Sequence, residues 1–318
     1  MRRRTIYHCL ALLVILFSMQ PVYAACTSSS SSSSFGTISS FTLASSPPTL
    51  ESGSGFVCSG SLLSLLSTNT VTAQIASTTN ASGTTPRLYN AQSGSYVPYT
   101  LCKDSGCSST YNIGDSIGWS STTLIGLLGL FNASDGSLPI YLRTASGVNV
   151  PAGTYIDTIT LNWTYHICFI GVAGLCIYTD GTGTSTINVT LIVSNDCYID
   201  NAPNVNFGTA ALPSEFQTIS SALSVRCTLN ATYSVNLAST NPIVNSWRQM
   251  QASVGGNNYQ LQYQLYKPDG SLWSDNNNYT AIGSGASQSI NYTATINPAQ
   301  PNQPAGSYSE VVTVTVTY

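Results

Sequence analysis

The last residues of the chain alternate strictly between apolar and polar side chains. The apolar positions of this segment are Val312, Val314, Val316 and Tyr318, with a threonine between each pair. An earlier segment has the same period, with apolar positions Ile159, Leu161, Trp163 and Tyr165. A period of two predicts strands with one buried and one solvated face. Such segments recur between turns rich in Gly, Pro, Asn and Ser, and no helical period is evident, so the pattern predicts an all-β sandwich fold.

The two alternating segments belong to two copies of one sequence pattern. Each copy opens with a cysteine, a Phe-Gly-Thr triplet and a second cysteine; the cysteines are Cys26 and Cys58 in the first copy and Cys197 and Cys227 in the second. Each copy also carries a Pro-Ala-Gly-Thr/Ser-Tyr motif directly before its alternating strand. The repeat predicts two immunoglobulin-like β-sandwich domains in tandem, over residues 25–194 and 195–318.

The two copies differ at their ends. The first copy continues through a hairpin into a further alternating strand, whose apolar positions are Ile187, Val189, Leu191 and Val193. The second copy stops at Tyr318, the counterpart of Tyr165. The second domain is therefore predicted to lack its final strand and to expose a groove lined by Val312, Val314, Val316 and Tyr318. A strand donated by another chain would complete it.

The first 24 residues have the pattern of a secretory signal peptide. Three arginines precede a short apolar run, and small or compact residues lead up to Ala24. This pattern predicts export and cleavage after Ala24. The processed chain is then expected to start next to Cys26, with no extra segment that it could donate to a neighbour. A subunit that accepts a strand but donates none is expected at the end of a fibre.

The cysteines point to disulfide bonds rather than to a metal site. The chain has nine cysteines, and eight remain once Cys9 leaves with the signal peptide. An even number of cysteines in an exported protein predicts disulfides, and the local pairs are Cys26–Cys58, Cys102–Cys107, Cys168–Cys176 and Cys197–Cys227. A zinc site needs clustered thiolates or imidazoles, whereas the processed chain keeps a single histidine, His166. We expect neither a metal nor a cofactor.

The repeated motifs resemble a known family. The Cys…Phe-Gly-Thr…Cys spacing, with Pro-Ala-Gly-Ser-Tyr before a C-terminal Val/Thr strand, is similar to the spore coat protein U domain of archaic (Csu-type) chaperone–usher pili. The resemblance covers residues 25–318 and departs from the family in the serine run at 28–34. Two such domains in one chain resemble a pilus tip adhesin. This resemblance implies a location at the pilus tip on the cell surface. It also implies a periplasmic chaperone, an outer-membrane usher and the next pilin as partners of the second domain.

Three apolar segments distinguish the first copy from the second. We call them the finger segments; their apolar residues are Leu62, Leu63, Leu65 and Leu66, then Leu124, Ile125, Leu127, Leu128, Leu130 and Phe131, then Phe169, Ile170, Val172 and Leu175. Loops are usually polar, so apolar loops with glycines predict a contact surface. The resemblance implies hydrophobic loops that grip an abiotic or host surface and support biofilm formation. For the first two segments, burial in a strand remains an open alternative.

Composition narrows the classes of function that the protein can have. Only 7% of residues are charged and the net charge is −3, which argues against nucleic acid as a partner. His166 beside Cys168 is expected to be structural or solvent-facing, and no catalytic constellation is evident, so we predict that the protein is not an enzyme. Two alternatives stay open: a lectin-like tip that holds a sugar with Trp119, Tyr96 and Tyr99, and a structural coat or matrix protein.

Overall fold

The computed structural model describes residues 25–59, 65–123, 129–172 and 175–318. In chain order, the strands up to residue 194 are β1 (Ala25–Ser28), β2 (Ser30–Ser39), β3 (Thr49–Gly53), β4 (Phe56–Ser59), β5 (Leu65–Thr78), β6 (Arg87–Asn90), β7 (Ser95–Cys102), β8 (Thr110–Tyr111), β9 (Ser116–Thr123), β10 (Pro139–Thr144), β11 (Gly153–Val172) and β12 (Leu175–Ser194). No helix in the described ranges is long and apolar enough to cross a membrane.

The first domain is a β-sandwich built around the long β11–β12 hairpin. Its largest sheet has the order β2-β12-β11-β6-β7-β10-β3, and β5 pairs with β11 and with β9. β1 pairs separately with β4, which puts Cys26 opposite Cys58. Inward residues of these strands form one apolar core, in which Phe56 stacks on Trp163 with ring centroids 4.3 Å apart. The predicted all-β fold is confirmed.

The serine run forms the first long strand of this domain. β2 pairs in parallel with β12. Its inward hydroxyls find partners, since Ser31 Oγ donates to the carbonyl of Gly53 at 2.6 Å and Ser33 Oγ donates to Ser52 Oγ at 2.8 Å. The register shifts opposite Phe35 and Gly36, where Gly36 has a φ of +76°. This bulge turns the half-buried Phe35 ring onto the core. Small hydroxyl side chains therefore replace the apolar alternation that a strand usually shows.

The second domain repeats the same architecture. Its strands are β13 (Cys197–Asn201), β14 (Ile219–Cys227), β15 (Thr232–Ser239), β16 (Arg248–Val254), β17 (Asn257–Tyr266), β18 (Tyr279–Ile282), β19 (Ser287–Ile296) and β20 (Val312–Thr317). They form two sheets with the orders β13-β14-β19-β17-β16 and β18-β15-β20.

Local details confirm the repeat. Gly208 has a φ of +77°, close to the value at Gly36. The Tyr155 hydroxyl donates to the carbonyl of Pro151 at 2.7 Å, and the Tyr308 hydroxyl donates to that of Pro304 at 2.8 Å. The two proline–tyrosine motifs thus make the same turn, and they align β20 of the second domain with β11 of the first.

The second domain lacks the strand that closes the first. In the first domain β12 lies between β11 and β2, and its inward side chains are fully buried: Ile187, Val189, Leu191 and Val193. In the second domain β20 pairs with β15 on one side only, and within residues 195–318 no strand lies on its other side. Within residues 195–318, the prediction that the final strand is missing is confirmed.

A short helix, α1 (Ser40–Ser45), lies between the domains and was not predicted. Ser39 caps it, since its Oγ accepts a 3.2 Å hydrogen bond from the Thr42 amide. Six residues are too few to produce a helical period in the sequence. The helix contacts the second domain through a buried 2.8 Å hydrogen bond between the Ser40 and Thr228 hydroxyls.

Candidate functional site

The described ends of the finger segments lie at the same end of four neighbouring strands. β5 begins at Leu65, β9 ends at Thr123, and the two residues pair with each other. β11 ends at Val172, which pairs with Leu175 at the start of β12. These strands are adjacent in the order β12-β11-β5-β9. The backbone therefore brings the described ends of the three finger segments together at one end of the sheet.

The described ranges contain part of the predicted surface residues. Leu62, Leu63, Leu124, Ile125, Leu127 and Leu128 lie outside these ranges. The backbones of six more are strand residues, with Leu65 and Leu66 in β5, Phe169, Ile170 and Val172 in β11, and Leu175 in β12. The first and third segments are thus partly extensions of paired strands rather than loops throughout.

Two residues of the second finger segment, Leu130 and Phe131, lie within the described ranges. Both side chains are half-buried and pack against the core of the first domain. The Phe131 ring lies 6.2 Å from the ring of Phe56, centroid to centroid. These two residues therefore lie against the body of the first domain and are not freely exposed.

The hairpin that carries the third finger segment is anchored at its base. A disulfide joins Cys168 to Cys176, and the buried Cys168 amide donates a 2.7 Å hydrogen bond to Oδ1 of Asn69 on β5. One step further from the tip, His166 Nδ1 lies 2.5 Å from Asp180 Oδ1 and the His166 ring stacks on Tyr178. His166 is therefore part of a solvent-facing cross-strand pair, as its position in the sequence predicted.

All four predicted cysteine pairs are present as disulfides. Besides Cys168–Cys176, the bonds are Cys26–Cys58, Cys102–Cys107 and Cys197–Cys227. The Cα atoms of the two repeated pairs are 4.0 Å and 4.1 Å apart, which fits directly opposed residues on antiparallel strands.

The described ends of the finger segments and the second domain lie at opposite ends of β12. That strand starts beside the finger segments at Leu175 and ends at Ser194, immediately before the second domain. A strand of 20 residues at about 3.3 Å per residue spans roughly 65 Å. The long hairpin therefore separates the apolar segments from the domain junction.

The missing strand of the second domain leaves an open cleft of about 290 Å³. One wall is residues 202–207, the counterpart of β2, and the other is residues 308–314, which lead into and include the first half of β20. Its apolar floor consists of Leu223, Leu237, Met250, Tyr263, Leu265 and Tyr292. The cleft lies between the counterparts of the strands that hold β12 in the first domain.

Two of the four predicted groove residues line this cleft. They are Val312 and Val314. Val316 is half-buried and packs against the core of the second domain. Tyr318 lies beyond the residues that line the cleft, is 55% exposed, and places its hydroxyl 3.5 Å from Asp196 Oδ1 at the domain junction. The alternation predicted the face of β20 but not the extent of the opening.

Comparison with known proteins identifies the repeated unit. Residues 14–162 and 183–315 both match the Spore Coat Protein U domain. The chain belongs to this family. The first match ends inside β11 and the second begins inside β12, so each covers most of one sandwich. The two sandwiches are referred to below as the first and second spore coat protein U domains. No curated protein matches the chain.

Several solved structures align with most of this chain, and the first one described here shares its fold. One is a chain of the CsuC-CsuE chaperone–tip adhesion subunit pre-assembly complex from archaic chaperone-usher Csu pili of Acinetobacter baumannii. It has 24% identity and a TM-score of 0.61, and the alignment covers 92% of this chain and 100% of that one. The CupB6 tip adhesin from Pseudomonas aeruginosa aligns with 12% identity and a TM-score of 0.35, over 93% of this chain and 94% of that one.

Each spore coat protein U domain contains a carboxylate bound to a tyrosine, which the sequence analysis missed. In the first, Asp157 Oδ2 accepts a 2.8 Å hydrogen bond from the Tyr99 hydroxyl. In the second, Glu310 Oε2 accepts one of 2.5 Å from Tyr263. The two acids occupy the same place, two residues after the tyrosine of the repeated proline–tyrosine motif. This shared spacing from the tyrosine of the motif is the sequence signal from which the two acids could have been predicted.

The two carboxylates differ in what covers them. Asp157 is 3% exposed and lies beside β12, where Val189 is its paired residue. Glu310 is only half-buried and lines the open cleft. Burial raises the pKa of Asp157, against the opposing effect of its hydrogen bonds. Burial and the neighbouring carboxylate likewise raise the pKa of Tyr99 and of Tyr263.

The aromatic residues proposed for a sugar pocket do not form one. Trp119 and Tyr99 are buried core residues, and the Tyr99 hydroxyl is taken up by Asp157. Tyr96 is exposed, but it stacks on Tyr89 and carries the Arg87 guanidinium 3.9 Å above its ring. The lectin-like prediction is therefore wrong for this set of residues. Within the described ranges, no cluster of three or more His, Cys, Asp or Glu residues could hold a metal ion.

Proposed function

We propose that this protein is the tip adhesin of a chaperone–usher pilus and not an enzyme. Its second spore coat protein U domain would accept a strand from another protein, and its first would grip surfaces through the finger segments. The observation that carries the proposal is the open cleft, which lies where the first domain holds β12.

The free energy of burying the completing strand's side chains is large compared with the stability of a domain. β12 buries four large apolar side chains in the first domain. Burial of such side chains contributes roughly 1.5–3 kcal/mol each, an upper estimate because unfolded chains are already compact. The sum of about 6–12 kcal/mol is comparable to the whole stability of a typical domain, about 5–15 kcal/mol. A domain without this strand gains greatly from a donor.

The direction of β20 supports a position for the first domain at the free end of a fibre. β20 runs toward the domain junction, since Val312 pairs with Ser239 and Thr317 pairs with Ser234, close to the start of β15. A donor that runs antiparallel to β20, as β12 does to β11, would leave the second domain at the pole farthest from the first. The next subunit would then lie opposite the finger segments.

The partners follow from the same cleft. A periplasmic chaperone would fill it first, and the next pilin would replace the chaperone at an outer-membrane usher. The CsuC-CsuE complex, in which a chaperone is bound to a tip adhesion subunit, supports the first step. Residues 1–24 would direct export as a signal peptide, and the protein would pass through the periplasm to the pilus tip. There the finger segments would attach to abiotic or host surfaces and promote biofilm formation.

A donor peptide tests the proposal. Residues 25–318 are mixed with a peptide that copies residues 184–194, and thermal unfolding is measured. At about 100 times its dissociation constant, the peptide should raise the melting temperature of the second domain by roughly 10 °C. A peptide with Asp in place of Ile187, Val189 and Leu191 should have no effect, because its charges would enter an apolar cleft unpaired. The variant Val312→Asp/Val314→Asp should not respond to the original peptide. A second domain that ignores every donor peptide contradicts the proposal.

A further inference from the structure

The carboxylate of Glu310 is an unusual lining for a cleft that accepts an apolar strand. The cleft is apolar along Val312, Val314 and its floor, whereas Glu310 and Ser309 make its far end polar. The first domain shows how such a carboxylate is accommodated next to a completing strand. Asp157 occupies the equivalent position there, is buried, and lies beside β12. The following inference rests on the proposed function, since it concerns the strand that fills the cleft.

Asp157 is fully provided with hydrogen-bond donors from its own domain. Oδ2 accepts from the Tyr99 hydroxyl. Oδ1 accepts from the amides of Asn80 and Thr158 at 3.1 Å and 2.9 Å, and from Asn80 Nδ2 at 3.4 Å. β12 can therefore cover this carboxylate with Val189, which donates nothing from its side chain.

Glu310 has fewer donors within its own domain. Its Oε2 accepts from the Tyr263 hydroxyl and its Oε1 from the amide of Asn241 at 3.1 Å. A carboxylate offers about four acceptor positions, so some of them depend on the solvent that enters the open cleft. An incoming strand would remove that solvent. Burial of a carboxylate without replacement hydrogen bonds is costly, so an apolar side chain over Glu310 would weaken the strand's binding.

We infer that the strand that completes the second domain carries a hydrogen-bond-donating side chain at the position where β12 has Val189, and that Glu310 selects for it. The partner is thus an alternating apolar strand with one inward polar residue, such as threonine, serine or asparagine. Its other inward positions take large apolar residues. Val312 and Val314 are smaller than their counterparts Ile159 and Leu161 and leave more room in the cleft.

Matched peptides test this inference with residues 25–318. The probes copy residues 184–194 and carry either Val or Thr at position 189, two side chains of nearly equal size and shape. Dissociation constants are measured by fluorescence anisotropy for the original protein, Glu310→Gln and Glu310→Leu. The Thr peptide should bind the original protein about tenfold more tightly than the Val peptide, the size of one hydrogen bond to a charged group. The preference should shrink in Glu310→Gln and reverse in Glu310→Leu.

A second position in the peptide separates this inference from the proposed function. Thr in place of Ile187 faces the apolar part of the cleft, so it should weaken binding to the original protein and to both variants. If that change weakens binding but Val and Thr at position 189 bind equally well, the role of Glu310 is refuted while the strand-accepting cleft stands. If Glu310→Leu does not fold, the comparison with Glu310→Gln decides. If no peptide binds, both the inference and the proposed function are overturned.

Discussion

The Tyr99 hydroxyl donates a 2.8 Å hydrogen bond to Oδ2 of Asp157, and both residues are buried in the first domain. Their counterparts Tyr263 and Glu310 make the same bond in the second. An acid bound to a tyrosine thus recurs in both copies. It is buried beside β12 in the first domain and half-buried at the open cleft in the second.

Asp157 should make the first domain less stable as pH rises. Burial is the largest cause of its shift and raises its pKa above that of the unfolded chain. The stability it contributes is therefore fully present below the unfolded pKa of about 3.9 and is lost as pH rises through the folded value. The difference in unfolding free energy between the original protein and Asp157→Asn should fall from pH 4 to pH 7. Chemical denaturation at several pH values measures it.

The control for this prediction is Asp275→Asn, which removes an exposed carboxylate of the second domain. A difference curve for Asp157→Asn that is flat, or that rises with pH, would show that the burial of Asp157 does not govern its protonation.

Much of the fold could be predicted because its signals are local and repeated. The period-two strands, the paired cysteines and the proline–tyrosine motif each determine a backbone feature over a few residues. α1 was missed because a cap and two buried residues, Ser40 and Leu43, hold six residues in place without a repeating pattern. β2 was uncertain because its contacts are hydroxyl hydrogen bonds to β3, which produce no apolar alternation.

The site was predicted less completely because it depends on long-range packing. The finger segments could be located as apolar excess, but the half-burial of Phe131 follows from its proximity to Phe56, 75 positions earlier in the sequence. The carboxylate in the cleft was missed because Asp157 and Glu310 acquire partners only once distant strands pair. The open edge beside β20, by contrast, was evident from comparison of the two copies.

The disulfides should divide their effects between stability and attachment. Cys168–Cys176 closes a short loop and Cys26–Cys58 a longer one, with separations of 8 and 32 residues. Loop-closure entropy assigns them roughly 2.6 and 3.7 kcal/mol. Cys26→Ser/Cys58→Ser should therefore lower the unfolding free energy more, whereas Cys168→Ser/Cys176→Ser should weaken attachment to polystyrene more, because it releases the base of the third finger segment. The reverse pattern would contradict this assignment.

The finger segments should carry attachment. Leu127→Ser/Leu128→Ser and Phe169→Ser/Ile170→Ser should each reduce binding of the protein to polystyrene beads at least tenfold, since each buried apolar side chain contributes about 1.5–3 kcal/mol. The melting temperature should stay within a few degrees of the original.

Ile282→Ser and Val311→Ser provide matched controls for these variants. Both residues are exposed and apolar but belong to the second domain. They should leave binding to the beads unchanged. Equal loss of binding in the controls would indicate general surface hydrophobicity rather than the finger segments.

Hydrogen exchange tests directly whether the second domain is a sandwich without its last strand. A turn and a copy of residues 184–194 are added after Tyr318, so that the added strand can fold back antiparallel to β20 as β12 does to β11. Amides of β20 should exchange at least a hundredfold more slowly than in the original protein, while those of β11 stay unchanged. The same extension with Asp at the inward positions should give no protection. Unchanged exchange of the β20 amides with the intact extension would contradict a missing strand beside β20.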